Sequence, residues 1–214
     1  MHVLSAGEVS QWLKVFEKAG DPADCVHADE DKLFFTHPEA ACIDLEYPPK
    51  LERLPFFAHC LATIGYEDRD FDGALIWLTN WGVWPLFDEG IGYRIVEQMN
   101  AAAGQPKSFE AARGHRYRAD ELPDAIGMLL QPMIFAWDCY YLPTWSYGTG
   151  EFFLHVSHDS FVSVVTRTKA FYDKVFQQLE NLELNPKPGS DARTSRFCRR
   201  PPRSLFQVPK RHRS

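Results

Sequence analysis

No apolar run in this chain is long enough to span a bilayer. The first fifteen residues include Glu8 and Lys14 and lack the basic-then-apolar order of a secretory leader. Cysteine is scarce as well: the five present are odd in number and show no CxxC spacing, which reads as free thiols in a reducing compartment. Gly90 and Gly92 lack the remaining spacing of a dinucleotide loop, and no GxSxG elbow occurs. Together these absences lead us to expect a soluble cytoplasmic protein with no cofactor and no membrane partner.

Aromatic residues are plentiful, with sixteen Phe, eight Tyr and six Trp among 214 residues. Charge is divided unevenly. Residues 185–214 hold nine Lys and Arg against the single acid Asp191, a charge of +8, so residues 1–184 carry −14 beneath the overall −6. An acidic body repels nucleic acid and steers towards basic partners. The last thirty residues mix five prolines with Arg, Ser and Lys and hold few large apolar side chains. Such a segment buries too little surface to offset its chain entropy, so a disordered tail is expected from 185 to 214, after one domain over 1–184. Nucleic acid would be a partner only through that tail.

Ser5 and Glu8 form a capping-box pair ahead of Val9, Trp12, Leu13 and Phe16, predicting a helix over 6–19. Lys32–Thr36 is a short apolar run. Residues 41–47 alternate and read as a strand with one wet face, bearing Cys42, Asp44 and Glu46. Pro55 starts a helix that stops at Gly65. Gly73–Thr79 has no polar alternation and reads as a central strand. A helix over 93–103 and a polar loop over 105–118 follow. Asp120 caps the next helix, after which Met133–Trp137 reads as a buried strand and 138–150 as a loop. Strands at 151–157 and 161–166 make a hairpin about His158-Asp159-Ser160, and a last helix covers 169–181. This order predicts an α+β fold: a mixed sheet of about five to six strands with helices packed on it.

Three groups of residues could carry function. Asp138, His155, His158 and Asp159 offer acids and imidazoles for a base with its orienting acid, or for a metal. Strand geometry weighs against the metal, because residues three apart point to opposite faces and His158-Asp159 suits a turn. Trp81, Trp84, Tyr140, Tyr141, Trp145 and Tyr147 crowd two predicted loops, where they would form a recognition surface or fold back as a lid. Arg113, His115, Arg116 and Arg118 would hold an anion or pair with neighbouring acids. Cys139 lacks an orienting group and reads as a structural thiol. The leading expectation is a non-catalytic protein-binding module of the inhibitor, immunity or adaptor kind, presenting an acidic aromatic surface to a basic protein. The alternative is a small hydrolase or metal-dependent enzyme using Asp138, His155, His158 and Asp159.

Overall fold

The computed structural model describes residues 1–19, 26–29, 32–64, 66, 70–80, 90–145 and 148–198. Strand β1 (His2–Leu4) leads into helix α1 (Ala6–Ala19), the hairpin β2 (Val26–Asp29) and β3 (Lys32–Phe35), and then β4 (Ala41–Glu46). Helix α2 (Leu54–Ala62), strand β5 (Phe71–Asn80), helix α3 (Ile91–Ala102), strand β6 (Gly114–Arg118) and helix α4 (Leu122–Phe135) follow. The chain continues through β7 (Asp138–Trp145), β8 (Gly148–Thr149), β9 (Phe152–Ser157), β10 (Phe161–Thr166), α5 (Lys169–Asn181), β11 (Lys187–Pro188) and α6 (Asp191–Phe197). The α+β class holds. The capping box does too: the Glu8 carboxylate accepts from Ser5 N–H at 2.7 Å and the Ser5 hydroxyl accepts from Glu8 N–H at 3.3 Å.

The main sheet is larger than the sequence suggests and antiparallel rather than mixed. It has nine strands in the order β1-β6-β5-β7-β9-β10-β4-β11, with β8 beside β7, and every named pairing runs antiparallel. Both of its faces are covered. One carries Ile76, Leu78, Tyr141, Leu154 and Val164 towards α2, α4 and α5. The other carries Leu75, Trp77, Tyr140, Phe153 and Val165 towards α1, the β2–β3 hairpin and α6. A three-layer arrangement of this kind removes polar alternation from its central strands, which accounts for the uninterrupted apolar run of β5.

Three expected boundaries change. Residues 114–118, read as loop, form β6 between β1 and β5, because His115 and Tyr117 alternate inward while Arg116 and Arg118 stay outside. The expected strand at 133–137 is the end of α4, which runs through Pro132 to Phe135 and stops at Ala136 in the left-handed region (φ 52°). The expected loop at 138–150 begins with eight residues of strand β7, buried against β5 and β9.

Residues 187–198, expected to belong to a disordered tail, carry strand β11 and helix α6. Helix α5 ends with Glu183 at φ 58°, where Leu184 N–H reaches Leu179 O at 3.1 Å, a Schellman-type stop. Residues 187–198 then cross the face of β4 that the sequence marked as wet. Phe197, 1 % exposed, enters the second core layer, and Cys42 and Asp44 are buried beneath this strap. One aromatic anchor and one half-buried ion pair, Asp44–Arg193, are what the composition of the segment concealed. Residues 199–214 lie outside the described residues.

Both ends of the sheet are short and blocked. On β1, Gln105 Oε1 accepts from Val3 N–H at 3.0 Å and Lys107 Nζ donates to Val3 O at 2.9 Å. On β11, Pro188 has no N–H to offer.

Candidate functional site

Pairing of β7 with β9 sets Cys139 opposite Val156 and so brings the start of β7 to the β9–β10 turn. There Asp138 Oδ1 accepts from His158 N–H at 2.9 Å, and both carboxylate oxygens lie 2.9 Å from His158 Nδ1. Asn80 Nδ2 donates to Asp138 Oδ2 at 3.3 Å, tying in the end of β5. His158 Nε2 stands 3.5 Å from Asp159 Oδ1 at the surface. Three of the four sequence candidates therefore converge. A carboxylate that fixes one imidazole nitrogen and leaves the other facing outward can serve a general base. No described hydroxyl or thiol hydrogen-bonds to the ring to act as nucleophile. Burial raises the Cys139 thiol well above its ordinary pKa, which keeps it protonated.

His155 does not join them. It is 2 % exposed, packed among Tyr140, Phe161 and Phe197, and its Nδ1 has no partner among the described residues. Burial, with Arg196 nearby, lowers its pKa to about 3. Burial likewise lowers His115 to about 4, with Nε2 3.0 Å from Asn100 Oδ1. Among the described residues no group of three or more His, Cys, Asp or Glu is placed to hold a metal.

Both histidines stay neutral when folded and take up protons near pH 6.5 when unfolded. The unfolded chain therefore binds more protons below pH 6.5, and stability falls as pH drops from there towards 4. Chemical denaturation at pH 7, 5.5 and 4.5 checks this, and His155→Phe should flatten the acid-side slope.

The recognition surface expected of Tyr140, Tyr141 and Trp145 is not there. All three are core residues: Tyr140 lies tilted against Trp77, the Tyr141 hydroxyl donates to Ala62 O at 2.9 Å, and Trp145 packs edge-on to Phe71 and Phe152. As strand residues of β7 they point alternately into the two layers, which a loop assignment cannot convey. Trp81, Trp84 and Tyr147 fall outside the described residues. The basic cluster takes its plainer reading. Arg116 pairs with Asp72 at 3.7 Å, Arg118 holds Asp120 through two contacts of 3.0 Å, and His115 is buried.

A different surface stands open. A cleft of about 590 Å³ lies between the end of β4, the start of α2 and residues 182–187. Tyr47, Phe56 and Phe57 line it together with the acids Glu46, Glu52 and Glu183 and the cations Arg53 and Lys187. Lys187 Nζ already donates to Glu46 Oε1 at 2.7 Å. Phe56 is 54 % exposed and Leu51, in the turn before α2, is 79 % exposed. The sequence held one clue to it. Leu54, Phe57, Ala58 and Leu61 form the buried stripe of α2, and Phe56 lies off that stripe.

Comparison of the chain with protein-family models, curated proteins and solved structures returns no match. Among the described residues no helix is long and apolar enough to cross a membrane.

Proposed function

We propose that the protein is a non-catalytic binding module of the inhibitor, immunity or adaptor kind, and that its cleft receives a basic segment of another protein. The observation that carries this reading is an open cleft with an exposed Phe56 beside three carboxylates, Glu46, Glu52 and Glu183. Exposed aromatic anchors flanked by charge are the usual makings of a recognition hot spot. The −14 charge of residues 1–184 favours encounter with basic surfaces. Because β1 and β11, the end strands of the main sheet, are blocked, recognition would run through side chains rather than by addition of a strand there. A cytoplasmic setting goes with this reading, and Cys42, Cys60, Cys139 and Cys198 are free.

The test is capture from an extract of the native host with tagged wild type and with the double variant Leu51→Lys, Phe56→Lys. A stoichiometric partner that the variant holds about tenfold more weakly is expected. Equal capture by both proteins, or no partner with wild type, contradicts the reading.

One observation favours a second reading, a small hydrolase. The Asp138–His158 contact at 2.9 Å orients an imidazole as a base would require, with Asp159 beside it. Turnover on a panel of esters and phosphoesters that His158→Ala abolishes and Phe56→Lys leaves intact would select it. No turnover would dismiss it.

A further inference from the structure

The strap of residues 187–198 is joined to the body through residues 182–186 and is held by a built site. Asp44, 8 % exposed, accepts from Ser163 Oγ at 2.7 Å and from Ser190 N–H at 3.2 Å, and it pairs with Arg193 Nη1 at 3.0 Å. The Arg193 guanidinium lies over Phe161, 3.7 Å from the ring centroid. Gly189 N–H donates to Cys42 O at 2.7 Å, and Phe197 closes against Phe153 and His155. Apart from the Ser163–Asp44 bond, which lies within the body, each of these contacts joins the strap to β4, β9 or β10, so an identical strap from another molecule could make them.

The hinge favours such an exchange. Asn185 holds φ 49° immediately before Pro186. A proline ring disfavours that region in the preceding residue and selects extended backbone. Left-handed backbone costs a non-glycine residue more, although Asn tolerates it best. An extended hinge would satisfy Asn185 and carry the strap away from its own body. Exchange of an identical element between protomers conserves its contacts and closes a two-fold dimer.

The geometry points to a second copy of this chain as a partner: two molecules trade residues 187–198, each strap docking on the other's Asp44 and Phe153 surface. This inference rests on the strap and hinge contacts and not on the proposed cleft partner, although residues 182–187 line the cleft and would move with the hinge. The exchange sets hinge relief against the entropy of association, so the dimer forms on concentration and dissociates slowly.

Light scattering after size exclusion tests it on the full chain. Wild type yields a dimer fraction that grows with concentration, and Asn185→Gly, which relaxes the closed hinge, lowers the association constant severalfold. The charge-reversal variants Asp44→Arg and Arg193→Asp supply the specific check. Neither can latch its own strap, whereas a mixture of the two restores both pairs only by exchange, giving a one-to-one heterodimer in native mass spectrometry. Wild type that stays monomeric at all concentrations overturns the proposal, as does a wild-type dimer that Asn185→Gly leaves unchanged. If Asp44→Arg fails to fold alone, the comparison of wild type with Asn185→Gly decides. If it folds, a mixture with no excess of heterodimer also overturns the proposal.

Discussion

Replacing Trp145 by alanine will lower the free energy of unfolding by about 3–5 kcal/mol, the usual cost of deleting a large aromatic from a packed core. The indole is 4 % exposed and lies edge-on to Phe71 and Phe152, with Gly150 so close that a Cβ there would fall 1.6 Å from a ring carbon. A residue caged in this way cannot relax into the space left by its removal. Urea denaturation reads the loss, and partner capture below the lowered melting point should match wild type. Reduced capture with unchanged stability would return Trp145 to a recognition surface.

Phe197→Ala is expected to cost about 3 kcal/mol. Phe197 is the anchor of the strap in the second core layer, 1 % exposed and packed against Phe153 and His155. Hydrogen exchange should report it locally, with amides of residues 190–197 losing protection while β5 and β7 keep theirs. Unchanged exchange in that segment would mean that the strap adds nothing to the fold.

Elements whose own residues decide their structure were legible in the sequence. Helix α1 announces itself through its capping box, helix α5 through one apolar stripe, and the β9–β10 hairpin through its turn residues. What escaped depends on distant partners. Strand β6 is rich in Arg and His, and only its place between β1 and β5 makes sense of the alternation. Strand β7 carries Pro143 and three aromatic residues, a composition that reads as a loop until β5 and β9 enclose it. Asp44 looked like a solvated residue because its cover comes from Arg193 and Ser190, nearly 150 residues away in the chain. Asp138 was read as following a strand at 133–137 that is in fact helix, and it meets His158 and Asp159 because the start of β7 pairs beside the β9–β10 turn. The cleft was not legible, because it joins residues 46–57 to residues 182–187, which lie far apart in the sequence.

Zero-length carbodiimide coupling in host extract, read by mass spectrometry, tests the binding reading most directly. It joins a carboxylate to a lysine in contact with it. The account predicts that partner lysines couple chiefly to Glu52, Glu183 and Glu46, and that Leu51→Lys, Phe56→Lys removes those products. Couplings spread over other carboxylates, or the same products from the variant, would contradict it.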